Sequence, residues 1–320
     1  MSLSIYSLIL FNMMVMSVMM IISSSSWFLT WLSLEVNQMM FIGWSLKNKS
    51  HQPMMNYFLI QSIGSSLFIM SNSMSLMIPL NLNYTQFTYT MTSIAILIKI
   101  GSVPFHFWYP EVMNMMNWQQ CMVLTTLQKL GPLYILFQIK SNITFFALSS
   151  TLIGSLSSIN QTSLRKLLAF SSISHNGWML LCISFYSSMW LLYFSIYSFI
   201  NIITMNMMKK QNWTILNQLT TLNTTNKSLI ILIFMSMSGL PPTLGFLPKW
   251  IILHLSINTS TFSSIILITS SLLMMFAYFN MLYITMFSTY NNQFMNKTKN
   301  YSILPLFMLL TLPTMPLMMI

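Results

Sequence analysis

Apolar runs of about twenty residues recur along the whole chain, separated by short polar breaks that hold most of its few charges. Coiled into a helix, such a run is about 30 Å long and matches the hydrocarbon thickness of a bilayer. Repetition of this pattern is the signature of an all-α polytopic membrane protein. Only 5% of the 320 residues are charged, against about 25% in a soluble domain, and mean hydropathy is +0.68. No polar stretch is long enough to fold separately, so residues 1–320 read as one membrane domain. The net charge of +11 does not indicate a nucleic-acid partner, because the basic residues come in ones and twos and form no basic face. The opening MSLSIYSLILF has no basic n-region and no cleavage site behind it, and is expected to be the first span rather than a removable leader.

Apolar runs and polar breaks predict about eleven spans. They lie near residues 3–22, 27–46, 54–78, 86–108, 113–139, 143–161, 165–184, 187–208, 228–250, 262–288 and 302–319. The basic residues test this division independently. Loops after even-numbered spans hold Lys47, Lys49, Arg165, Lys166, Lys209, Lys210, Lys227, Lys297 and Lys299, whereas the opposite loops hold only Lys140. That asymmetry follows the positive-inside rule and puts the N-terminus on the positive face, with the C-terminus on the other.

Two spans carry helix breakers. The fourth contains Gly101 and Pro104, and the ninth contains Gly239, Pro241 and Pro242. A proline removes a donor and frees a carbonyl, and lipid supplies no replacement bond. Such breaks are tolerated where they face protein or water. Their separation by five spans predicts two five-helix repeats of inverted topology, residues 1–140 and 141–290, with a C-terminal helix in 291–320.

Four ionisable residues fall inside spans: Glu35, Lys99, Lys129 and Lys249. Glu35 lies about 12 Å into its helix and Lys99 about 21 Å into its own. A charge at mid-bilayer costs about 2.5–3.5 kcal/mol or more, so four accidents are improbable, although Lys249 alone is open to snorkelling. Burial penalises the charged form of lysine and glutamate alike, and a carboxylate near a lysine favours the protonated amine. The pattern is that of a proton relay, in which Glu35 holds the proton on Lys99 until their interaction changes. His106 and His175 are possible relay groups, with a hydrogen-bonded structural role of equal weight. Glu111 reads as an interfacial residue at a helix start. Cys121 and Cys182 have no metal or cluster spacing and read as apolar packing residues. There is no phosphate-binding loop, no dinucleotide fingerprint, no paired haem histidines and no Asp.

The segments KIGSVPFHFWYPEV, LQKLGPL, NQTSLRKLLAFSSISHNGWM and SGLPPTLGFLPKW, in this order and spacing, resemble the antiporter-like chain 2 family of mitochondrial NADH:ubiquinone oxidoreductase (complex I). WFLTWLSLEVNQMMF matches as well, and the short animal form, that of insects or other arthropods, fits best. The resemblance implies a proton-translocating subunit of the mitochondrial inner membrane, its N-terminus in the matrix and its C-terminus in the intermembrane space. It implies Lys99 as the lysine paired with Glu35, Lys129 as the connecting lysine and Lys249 as the lysine near the outer exit. His106 and His175 match family positions too. The implied chain binds no cofactor itself, NADH, FMN, iron–sulfur clusters and ubiquinone belonging to other subunits. Implied partners are the neighbouring antiporter-like chain 4, the small chain 4L, accessory subunits and lipids including cardiolipin. The residues alone leave open a cation/proton antiporter subunit, for which two acids offer few sodium ligands, and a structural subunit with inert buried charges.

Overall fold

In a computed structural model the protein is described over residues 5–46, 51–77, 82–139, 141–185, 187–221 and 224–287. The expected last span, 302–319, and the loop cations Lys47, Lys49, Lys140, Lys297 and Lys299 lie outside those residues. Among the described residues the chain forms thirteen α-helices and one 3-10 turn, with a single isolated antiparallel bridge between Ser163 and Ile215. Its internal contacts divide it after Ala147 into two units.

The first unit contains α1 (Ile5–Ser23), α2 (Trp27–Leu46), α3 (His51–Met77), α4 (Leu82–Ile100), α5 (Trp108–Met115), α6 (Trp118–Thr125) and α7 (Leu127–Ile139). α1 packs on α2, α2 on α3 and α3 on α4, while α7 lies against α1, α2 and α4. The second unit contains the body of α8 (Thr144–Ser158), then α9 (Leu164–Ser184), α10 (Met189–Gln211), the 3-10 turn Leu216–Thr221, α11 (Thr224–Ser238), α12 (Phe246–Thr259) and α13 (Thr261–Phe287). α9 is buried from Leu167 to Ile183 except at Phe170 and is touched by α10, α12 and α13. Segments Ile5–Ser23, Leu164–Ser184, Met189–Gln211 and Thr261–Tyr283 are each long and apolar enough to cross a membrane.

Serine and threonine are frequent in these helices because each hydroxyl finds a partner one turn back. Ser17 donates to the Met14 carbonyl, Ser33 to Thr30, Ser71 to Phe68 and Ser172 to Ala169, all at 2.7–2.9 Å. A hydroxyl bonded in this way presents mainly its methylene to the neighbours, so a Ser-rich run still behaves as an apolar helix. The apolar faces left outside, such as Met16, Met19 and Met20 on α1 and Ile265, Ile268 and Leu272 on α13, are exposed in the isolated chain. That is the distribution expected where lipid is the solvent.

Two predicted spans differ from the observed helices. Residues 113–139 do not form one helix. Residues 113–115 end α5, which is the second half of the broken fourth span, and a new helix starts after extended Met116. Asn117 caps it with Gln120 in a reciprocal capping box. A second discontinuity follows at Thr126, whose backbone (φ −113°, ψ −85°) leaves the helical region. The ninth span is longer than expected: its second half, α12, continues to Thr259 and places Lys249 within a helix.

Candidate functional site

Each unit contains a helix interrupted at a glycine followed by proline, and these two interruptions use the same device. α4 ends at Gly101, which takes φ +74°, and α11 ends at Gly239, which takes φ +81°. Only glycine enters this left-handed region without penalty. The Ser102 amide donates to the Leu97 carbonyl at 3.2 Å and the Gly101 amide to Ile98 at 3.2 Å. In the second unit the Leu240 amide donates to Met235 at 3.4 Å. The Ser102–Leu97 and Leu240–Met235 bonds are the six-to-one bonds of such helix ends, and they satisfy carbonyls that the broken helix leaves without a partner. Pro104, after a cis Val103–Pro104 bond, and Pro241–Pro242 then prevent the helix from resuming at once. The second half-helix is drawn close to the first. At Gly245 a Cβ would collide with the Ser236 carbonyl oxygen.

A helix C-terminus is the negative end of the backbone dipole and favours a cation. Both broken helices place a lysine there. Lys99 is in the last turn of α4 and is only 6% exposed. Its stem lies against α3, where a Cβ on Gly64 would approach Lys99 Cγ to 2.9 Å. Gln61 of α3 donates to the Lys99 carbonyl at 3.0 Å, which ties the same turn down. Lys249, also 6% exposed, starts from α12 and reaches back to the end of α11. Its ammonium donates to the Ser238 carbonyl at 2.7 Å and to Met237 at 3.5 Å, with the Trp178 ring 5.9 Å away. This settles the orientation of Lys249: it points into the break and does not snorkel to the interface.

Lys129 is held differently. It lies in the first turn of α7, 2% exposed, with its ammonium 4.8 Å from the centroid of the Tyr109 ring. An aromatic face attracts a desolvated cation by roughly 2 kcal/mol. Pro132 sits one turn later within α7, and its nitrogen cannot donate to the Gln128 carbonyl, so this turn is loosened on both sides.

Glu35 is half-buried on α2 and accepts a hydrogen bond from Gln38 one turn on. Among the described residues no direct ion pair joins it to Lys99. Glu35, Lys99 and Lys129 therefore belong to the first unit, and Lys249 to the second. His106, in the first break, is buried, with Nδ1 3.3 Å from the Pro104 carbonyl and its ring against Phe107. His175 is buried on α9, its Nδ1 2.7 Å from the Tyr193 hydroxyl, beside a cavity with room for about one water. That cavity is lined by Tyr197, Ser236 and Gly245 among others. Glu111 is exposed in the first turn of α5. Cys121 and Cys182 are buried. Among the described residues no group of His, Cys, Asp or Glu has the arrangement of a metal site.

Sequence reasoning missed residues that hold the lysines: Gly64 for Lys99, Tyr109 for Lys129 and Trp178 for Lys249. Only isolated Gly64 inside an apolar run was an available signal, since a glycine there marks a close approach.

The transmembrane family model "NADH:quinone oxidoreductase/Mrp antiporter" matches residues 24–273. The chain is 35% identical over 319 residues to NADH-ubiquinone oxidoreductase chain 2 of Anopheles gambiae, covering 91% of both chains. It is 34% identical to the protein of that name from Paradoxurus hermaphroditus, covering 95% of both. Among solved structures it resembles a chain of respiratory complex I from Thermus thermophilus with TM-score 0.82 at 17% identity, covering 89% of this chain and 71% of that one. It resembles a chain of the Mrp complex from Dietzia sp. DQ12-45-1b with TM-score 0.76 at 14% identity, covering 86% and 59%. At such identities the likeness is one of fold. With one family model over most of the chain and relatives of one name along nearly all of it, the chain belongs to the NADH-ubiquinone oxidoreductase chain 2 family.

Proposed function

We propose that the chain translocates protons across the mitochondrial inner membrane as an antiporter-like membrane-arm subunit of complex I. NADH, FMN, iron–sulfur clusters and ubiquinone work in other subunits, and this chain has no redox centre of its own. The observation that carries the reading is the shared construction of the two broken helices, each with a buried lysine at the carbonyl end of its first half. Such half-helix ends accept protons or cations, and their irregular backbone calls for a protein-lined or hydrated cavity.

The residues divide the work. A Glu35 carboxylate acting on Lys99 favours the protonated amine, and weakening that interaction releases the proton. Lys129 receives the charge against the Tyr109 ring, and Lys249 holds it on the Ser238 and Met237 carbonyls before release on the outer side. His106 and His175 are additional proton-passing groups. The parallel construction also supports two inverted five-helix repeats, 1–140 and 141–290, followed by a C-terminal helix in 291–320, within about eleven spans. The N-terminus faces the matrix and the C-terminus the intermembrane space. Chain 4 and chain 4L are the expected neighbours, with accessory subunits and cardiolipin around them.

The test is Lys99→Met and Lys129→Met in the assembled enzyme, reconstituted in vesicles. Loss of pumping and of quinone-coupled turnover supports the relay. Unchanged values in both variants would establish a purely structural subunit. Pumping that requires sodium would favour a cation/proton antiporter.

A further inference from the structure

Three polar side chains of the first unit form a bridge that the relay leaves unused. The Tyr57 hydroxyl of α3 donates to Gln128 Oε1 at 3.1 Å. Gln128 Nε2 of α7 donates to Asn37 Oδ1 of α2 at 3.1 Å. Tyr57 and Asn37 are each 2% exposed. One amide thus spends its acceptor on one helix and its donor on another, so its orientation is fixed by both.

The place of this amide matters more than its partners. Gln128 directly precedes Lys129 and belongs to the first turn of α7, which begins after the discontinuity at Thr126. Pro132 withdraws the donor that would bond the Gln128 carbonyl from the next turn. A first turn also lacks intrahelical partners for its own amides, and the Lys129 amide donates instead to the carbonyl of Thr126, at the discontinuity itself, at 3.1 Å. The backbone under Lys129 is therefore weakly held by its own helix, and the Gln128 side chain anchors it to the helix that carries Glu35. Tyr57 also packs edge-on against Phe41 of α2, the helix that carries Glu35, so the bridge is tied to that helix a second time.

We propose that Gln128 is a positioning residue for Lys129, acting through Tyr57 and Asn37. The proposal rests on the relay reading: what Gln128 positions matters only if Lys129 carries charge.

The test compares Gln128→Leu, Tyr57→Phe, the double variant and Lys129→Met in the assembled complex in vesicles. Protons moved per electron and quinone-coupled turnover are each normalised to the amount of assembled enzyme. Gln128→Leu is expected to lower turnover about threefold to tenfold and to reduce the proton-to-electron ratio. Tyr57→Phe should give a smaller effect of the same kind. The double variant should be no worse than Gln128→Leu, because the two side chains act as one unit. A merely structural bridge would reduce the amount of assembled enzyme and leave the normalised ratio unchanged, which overturns the proposal. If Lys129→Met abolishes pumping while Gln128→Leu retains the full ratio and rate, the positioning role fails and the relay stands. If Lys129→Met pumps normally, the relay reading itself fails and the positioning role falls with it.

Discussion

Gly239→Ala separates the geometry of the break from the chemistry of the lysine it holds. Gly239 has φ +81°, and an alanine in that conformation is strained by about 1–2 kcal/mol. Its Cβ would lie 2.9 Å from Lys249 Cδ, 3.1 Å from Nζ and 3.2 Å from Cε. All three atoms belong to the flexible end of the side chain, so the clash is relieved by swinging that end away, which carries the ammonium off the Ser238 carbonyl, now 2.7 Å away. A hydrogen bond to a charged group contributes about 1.5–3 kcal/mol, and losing the smaller figure corresponds to about a tenfold effect on any step that depends on it. Gly239→Ala should therefore lower pumping turnover by about tenfold or more, measured as proton uptake by vesicles containing the assembled enzyme. Gly43→Ala is the control: its Cβ would meet only the Leu10 side chain, at 3.7 Å, an ordinary contact. Normal pumping by Gly239→Ala would refute the claim that the Ser238–Lys249 bond takes part in turnover.

Three further substitutions address neighbouring parts of the site. Gly64→Ala places a Cβ 2.9 Å from Lys99 Cγ and 3.2 Å from the Ala95 carbonyl. Overpacking of about 1–3 kcal/mol should lower turnover of assembled enzyme more than its yield, read from activity per assembled complex. Tyr193→Phe removes the 2.7 Å bond to His175 Nδ1 and should lower the thermal midpoint of the complex slightly, as expected for an interhelical bond of about 0.6 kcal/mol. Glu111→Gln changes an exposed residue of a short helix, and its pumping ratio should equal that of the parent enzyme, with turnover within about twofold.

The sequence exposed what lipid makes expensive. Glu35, Lys99, Lys129 and Lys249 stood out because a charge among apolar residues needs a reason, and the structure places all three lysines inside the protein. Gly101 and Gly239 stood out because each comes before prolines, and both take left-handed backbone. The limits of α2, α9 and α13 followed from apolar length alone, within a residue or two. The discontinuity at Thr126 had no comparable signal. No glycine or proline marks it, and the hydroxyls of Thr125 and Thr126, bonded back to the Met122 carbonyl, look like those of any other Ser or Thr in these helices. Nor could periodicity find the Tyr57–Gln128–Asn37 bridge, whose members are 71 and 91 residues apart. The direction of Lys249 was equally hidden, since α12 could have carried it to the interface. Local pattern reports which residues are costly, whereas their partners depend on packing between helices.

A density map of the assembled complex that resolves water tests the central claim most directly. A proton relay through Glu35, Lys99, Lys129 and Lys249 predicts ordered water beside each ammonium group and between Glu35 and Lys99. Dry, apolar packing around Lys99 and Lys129, with no water reaching either, would contradict it.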